Sequence, residues 1–325
     1  MSILPIWLKA IELDNVDGTV NEIILALQQW AIDCRRRGAV IGVSGGVDSA
    51  VTLALCVRAF GKKDTLAVLL PDKDSDPSSA RLAESLAEEL QVNIVRQDIT
   101  HQLEACEAYR MRDEAASEVF PDYDPKFDRL RVEYSNNLEQ VHELPLFCLS
   151  LVKGEGHVET RYLRPGPYLK IVAATNLKQR SRMMVLYLLA EQRFFGVIGT
   201  ANRLEAEQGF FVKHGDGAAD IFPLDKLYKT QVYQLAERLK ISNEIIERPP
   251  TTDTYSADQT QEQFFFSLPS READILWSAF CHDIESSVVG TTINLSADAV
   301  DKVFEGFRRR CDYTRYLRSP HSEGS

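Results

Sequence analysis

Apolar positions recur at two different periods along the chain, and the change of period marks the elements. Over residues 20 to 37, Ile23, Ile24, Leu27, Trp30, Ala31 and Cys34 fall at helical spacing. The segment closes in Arg35-Arg36-Arg37-Gly38, a basic helix end followed by glycine. Ala39 to Ser44 is a short, partly β-branched apolar run and reads as a buried strand. A glycine-rich turn follows, then a helix from Ser49 to about Phe60, a strand over Asp64 to Leu70, a helix from Ser78 to Leu90 and a strand over Val92 to Val95. The alternation resumes with a helix from Lys170 to Gln192, a strand over Phe195 to Thr200 and a helix from Leu227 to Leu239. Strands that alternate with helices predict parallel strands joined by crossovers, an α/β fold with a doubly wound sheet and helices on both faces.

Between the two halves, residues 104 to 168 break the rhythm. The first part is charged, and the second, Leu146 to Val152 and His157 to Leu163 around Gly154-Glu155-Gly156, predicts a β-hairpin. The reading is one domain over residues 1–318 carrying an insert at 104–168, with 319–325 as a disordered tail.

Charge and cysteine change the picture only by exclusion. The 325 residues carry 37 Lys and Arg against 48 Asp and Glu, a net charge of −11. So acidic a chain has no global footprint for nucleic acid, although a local anion site can oppose the field. No apolar run approaches the ~20 residues that span a bilayer, and the N-terminal residues lack a basic start and a signal-peptide core. The six cysteines form no CxxC pair, which argues against a disulfide framework and a cysteine zinc site. The expected setting is the reducing cytoplasm.

The chemistry concentrates after the first strand, in Gly42-Val43-Ser44-Gly45-Gly46-Val47-Asp48-Ser49. Glycines let backbone N–H groups converge on an anion, and the helix N-terminus adds partial positive charge. Ser44 and Ser49 add hydroxyls. Asp48 is an odd neighbour for a phosphate unless Mg²⁺ bridges the two. The string is neither a Walker A loop nor the dinucleotide GxGxxG. It resembles the pyrophosphate loop of the N-type ATP pyrophosphatases, which cleave ATP between the α- and β-phosphates and adenylate a substrate.

The second half discriminates within that superfamily. Asn176 to Arg182 open a helix, Gly199-Thr200-Ala201-Asn202 with Glu205 follow a strand, and Gly209 to Asp220 (GFFVKHGDGAAD), Leu227 to Gln231 and Pro249 to Asp253 come after. In order and spacing these blocks, over about 20–102 and 170–265, resemble the NAD synthetase family. The resemblance implies an adenine-nucleotide α-hydrolase-like, Rossmann-like fold. It also implies a two-step reaction: the carboxylate of nicotinic acid adenine dinucleotide (deamido-NAD) attacks the α-phosphorus of ATP, and ammonia then displaces AMP. Asp48 and Glu205 match the family's Mg²⁺ ligands, and the loop from Gly42 to Ser49 with Thr200, Lys229 and Thr251 matches its ATP contacts. Asn176, Arg180, Lys213, Asp216 and Asp220 match positions that hold the dinucleotide or shape its loop. Asp48, Lys213, Lys229 and Thr251 are expected to carry catalysis.

The pattern frays in three places. Gln261 stands where the family has an Asp, the region from Phe307 lacks the family's His-Lys pair, and the 104–168 insert is longer than the family needs, while His214, where the family has an aromatic, reads as a packing or pocket-wall residue. Those departures touch recognition of the carboxylate, so an ammonia-dependent ligase for another carboxylate, nucleotide- or sugar-linked, is the alternative. A tRNA-modifying pyrophosphatase and a non-catalytic nucleotide-binding module stand behind it. The resemblance further implies a homodimer, to which Phe264-Phe265-Phe266 and the hairpin could contribute. The segment ahead of Gly42 is too short for a glutaminase, and Cys34 is expected to pack in the core. Ammonia therefore comes free or from a separate glutaminase.

Overall fold

The computed structural model describes residues 5–134, 147–249 and 269–318. In chain order the elements begin with α1 (Ile6–Lys9), α2 (Val16–Asp33), β1 (Ala39–Gly42), α3 (Val47–Phe60), β2 (Thr65–Leu69), α4 (Pro77–Leu90) and β3 (Asn93–Arg96). The central segment forms α5 (Thr100–Ala105), α6 (Ala108–Val119), β4 (Arg129–Tyr134), β5 (Phe147–Val152) and β6 (Val158–Tyr162). Then come α7 (Pro165–Glu191), β7 (Gly196–Ile198), α8 (Arg203–Gln208), α9 (Lys229–Leu239) and α10 (Asn243–Ile246). The last described elements are α11 (Ser270–Cys281), α12 (Ser286–Ile293), α13 (Ala297–Tyr313) and α14 (Arg315–Arg318).

The main sheet runs β3-β2-β1-β7, and all its pairs are parallel. Strands β1, β2 and β7 are buried on both faces, while the edge strand β3 is largely exposed. Ala39 and Ile41 of β1, Ala67 and Leu69 of β2 and Ile198 of β7 join one core with α2, α3, α4 and α9. Val40, Leu66, Val68 and Val197 point the other way, into a core with α5 and α7. That two-sided burial explains why the strands read as apolar runs and not as alternations. The order reverses at β1. The chain winds outward through β2 and β3, then returns to place β7 on the opposite side of β1, so β1 and β7 flank the crevice where open α/β sheets bind ligands.

The predicted hairpin is present, with Cys148 opposite Tyr162 and Val152 opposite Val158. It is part of a larger unit, because β4 pairs antiparallel with β5 to give the order β4-β5-β6. The charged composition of residues 104–134 does not announce a strand. Yet Leu130 and Val132 alternate with polar residues and are fully buried, so a half-covered strand lay within it. This sheet packs on α6 and on Ile171 at the start of α7. Helix α7 begins at Pro165, five residues before the predicted start, with proline in its first turn. Cys34 was expected in the core but lies just beyond α2 and is exposed. Leu146, the Phe264–Phe266 cluster and the tail from Ser319 lie outside the described residues.

Candidate nucleotide site at the β1–β7 crevice

The phosphate loop leaves β1 and turns into α3. Gly45 sits at φ +75°, in the left-handed region, and a Cβ there would stand 2.7 Å from the Ser79 carbonyl oxygen. Only glycine meets both conditions. The loop is knit by its hydroxyls: Ser49 Oγ donates to the Gly46 carbonyl at 2.8 Å, and the Ser44 amide donates to Ser49 Oγ at 3.3 Å. No side chain caps the start of α3. The first-turn amides of a 14-residue helix therefore face the loop as donors for an anion.

Three charged side chains meet beside this loop, from three elements. Asp48 in the first turn of α3 pairs through Oδ2 with the Lys229 ammonium at the start of α9, and its Oδ1 accepts from Asn202 Nδ2 at 3.4 Å. Asn202 and Glu205 form a capping box on α8: the Glu205 amide donates to Asn202 Oδ1 at 3.2 Å, and the Asn202 amide donates to Glu205 Oε2 at 3.0 Å. Burial, with Asp48 adding repulsion and Lys229 opposing it, pushes the Glu205 carboxyl up to about 7. Burial works against the Lys229 ammonium, but Asp48 and Glu205 outweigh it and hold the group above its ordinary value. Two carboxylates crowded against one ammonium make a site that favours additional positive charge.

Lys229 is itself anchored. Its amide and that of Thr230 donate to Asp274 of α11 at 3.3 and 2.7 Å, and the Thr230 hydroxyl donates at 2.7 Å. Asp274 thus caps α9 from another helix, and burial pushes its carboxyl up to about 6. Thr200 is half-buried directly beyond β7. Thr251 lies outside the described residues, as do Gln259 to Glu262.

The residues expected to hold the dinucleotide form a second group, around α7 and the 209–220 loop. Arg180 Nε donates to the Lys213 carbonyl at 3.2 Å. The Lys213 ammonium donates to the Tyr316 carbonyl of α14 at 2.9 Å, so its contacts run to the C-terminal helices and not to Asp48, Glu205 and Lys229. Asp216 is exposed and accepts the Val212 amide at 2.8 Å. Asp220 accepts from the Val197 amide of β7 at 2.8 Å and from the Tyr187 hydroxyl at 3.0 Å, which ties the loop to sheet and helix. Asn176 is half-buried on α7. Gly209 (φ +73°) lets the loop start close against Thr314, since a Cβ would lie 2.4 Å from that side chain.

A buried charge network was not foreseen. Lys178 reaches Asp72 at 3.0 Å and Asp74 at 2.7 Å, Arg182 reaches Asp72 at 3.0 Å, and Arg112 of α6 pairs with Asp74 and Asp113. Three cations balance three carboxylates. Lys178 and Arg182 stand one helical turn apart on α7, a spacing visible in the sequence, but their partners follow β2, more than a hundred residues away.

A doubly wound parallel sheet with a glycine-rich loop, paired carboxylates and a lysine at its switch point defines a nucleotide-binding α/β protein. The chain belongs to the NAD synthase family, whose model matches residues 19–133 and 158–316. The NH(3)-dependent NAD(+) synthetase of Mesorhizobium japonicum is 42% identical over 308 residues, 95% of this chain and 94% of that protein. The enzyme of the same name from Rhizobium meliloti is 43% identical over 91% of this chain and 88% of that protein. Among solved structures, NMN synthetase from Francisella tularensis superposes with a TM-score of 0.65 at 24% identity, covering 96% of this chain and 99% of that one. The NH3-dependent NAD synthetase of Campylobacter jejuni gives 0.63 at 18%, covering 96% and 100%. At these identities the structures support the fold. Residues 134–157, around the β5–β6 hairpin, fall outside the family model.

Proposed function

We propose that the protein is an ammonia-dependent NAD synthetase: it adenylates the carboxylate of deamido-NAD with ATP, and ammonia then displaces AMP. The observation that carries this reading is the 42% identity to an enzyme of that name over nearly the full length of both chains. The Asp48–Lys229–Glu205 group beside the loop supports it chemically.

The loop amides and the start of α3 take the polyphosphate, and Thr200 and Thr251 complete the ATP contacts. Lys229 neutralises charge as pyrophosphate departs from the α-phosphorus. Arg180, Lys213, Asn176, Asp216 and Asp220 hold the dinucleotide or its loop, so that the nicotinate carboxylate meets the α-phosphorus in line. No covalent protein nucleophile is required. Asp48 and Glu205 fit Mg²⁺, which takes one or two carboxylates and completes its shell with phosphate oxygens and water. When bound, Mg²⁺ would supply charge neutralisation at the phosphates.

The same reading covers organisation and setting. The chain acts as one domain over 1–318, with 104–168 inserted and 319–325 as a tail. It works in the cytoplasm as a homodimer, a state supported by Leu169, Met184 and Leu188, apolar and exposed along one face of α7. Six free cysteines suit a reducing compartment. Ammonia arrives free or from a separate glutaminase.

A product assay tests the activity. Protein, ATP, Mg²⁺, ammonium and deamido-NAD should yield NAD, AMP and pyrophosphate. Absence of NAD, with AMP formed on another carboxylate, would overturn the substrate assignment.

A further inference from the structure

Arg248, just beyond α10, reaches back across the fold to the phosphate loop. Its side chain is only 13% exposed. One edge of the guanidinium is committed: Nη2 donates to Asp76 Oδ2 at 3.0 Å and to Ser79 Oγ at 2.8 Å, both at the start of α4. The other edge faces the loop, where Nη1 lies 3.1 Å from the position a Cβ on Gly45 would occupy. Among the described residues Nη1 and Nε have no hydrogen-bond partner. The planar fork is thus fixed by its far side, with its near side presented to the turn whose amides make the anion site. Lys229 stands in the same crevice, but its ammonium is already paired with Asp48.

A triphosphate brings several negative charges, and Asp48, Asp76 and Glu205 add to them. One paired lysine and the loop amides supply little fixed positive charge against that load. We propose that Arg248 is a second cationic ligand of the β- and γ-phosphates of ATP, and so of the pyrophosphate that leaves. The inference rests on the ATP-dependent reading of the loop. It adds a contact from the segment leading into Pro249, outside every block that suggested a site. The competing role is mechanical: Arg248 could serve only to brace α4 against the loop. The two roles differ in which ligand feels the loss, since a phosphate contact acts on pyrophosphate and not on AMP, whereas a distorted loop weakens both.

The test is calorimetric titration of the full chain with magnesium pyrophosphate and, separately, with AMP. Wild type, Arg248→Ala and Arg248→Gln are compared, the last retaining length and a hydrogen-bonding edge without charge. Both variants should bind pyrophosphate at least about tenfold more weakly, equivalent to about 1.4 kcal/mol, with AMP affinity within about twofold of wild type. Pyrophosphate binding unchanged in both variants would overturn the proposal. So would an equal loss of pyrophosphate and AMP binding with a lowered Tm, which is the signature of a brace. If wild type itself fails to bind magnesium pyrophosphate, the nucleotide reading of the loop falls and this inference falls with it.

Discussion

Replacing Lys178 with methionine tests whether the charge network beneath the site is structural or incidental. Were it a surface ion pair, its removal would cost ~0–1 kcal/mol. The network is not at the surface: Lys178 is 5% exposed, and its partners Asp72 and Asp74 are 0% and 6% exposed. Breaking a buried pair from one side costs about 3–5 kcal/mol, because the charge left behind is uncompensated. Arg182 still holds Asp72 and Arg112 still holds Asp74, so three carboxylates would face two cations. One net buried negative charge places the expected loss near the lower end, about 3 kcal/mol. Equilibrium urea unfolding at pH 7 reads it directly. With m of about 3 kcal/mol/M or more, the midpoint falls by up to about 1 M.

A pH series separates the electrostatic cause from lost packing. Burial pushes the Asp74 carboxyl up, but Lys178 and Arg112 together outweigh it and leave it below its ordinary 3.8. A depressed folded-state value means the stabilisation is present above 3.8 and is lost as pH falls through the folded value. Without Lys178 the burial effect dominates, Asp74 titrates higher, and the variant should regain stability between pH 7 and pH 5 while wild type does not. A loss under about 1 kcal/mol, or one that is the same at both pH values, would refute the reasoning.

Asp48→Asn and Glu205→Gln should each slow Mg²⁺-dependent AMP formation by about a hundredfold or more; wild-type rates in both would remove them from the metal site. Gly45→Ala must place a Cβ 2.7 Å from the Ser79 carbonyl at a positive φ. It should raise the KM for ATP by at least about tenfold while the fold persists by circular dichroism, and an unaltered KM would contradict the loop geometry. Burial raises Asp274 from 3.8 to about 6, so its ionisation costs stability as pH rises through that window. Asp274→Asn lacks this titration, and the stability advantage of wild type over the variant should shrink by about 1–3 kcal/mol between pH 4 and pH 7. An advantage constant with pH would show that the carboxyl is not strained by burial.

The parallel sheet was legible because its strands are short apolar runs between helices with clear stops. The loop was legible because Ser44 to Ser49 is contiguous. Asp48, Glu205 and Lys229 could each be singled out from their blocks, but their meeting depends on β7 docking beside β1, which the pattern does not state. Strand β4 went unseen because its buried Leu130 and Val132 stand amid arginines and a glutamate. Asp274, Arg248 and the Lys178 network were invisible for a common reason. Each acts across 44 to 172 residues, on a helix end or a loop whose position only packing sets.

The separation of β1 from β7 also fixes the order in which the protein becomes competent while it is being made. Asp48 and Lys229 are 181 residues apart. At ~5–20 residues per second, roughly ten seconds or more of translation lie between them. Until residue 205 the emerging chain carries the glycine-rich loop and Asp48 without Glu205, and Lys229 is missing to the end of the interval. A chain that ends before Lys229 therefore lacks the ammonium that pairs with Asp48 beside the loop, and the three-sided charge group closes only once α9 has been made.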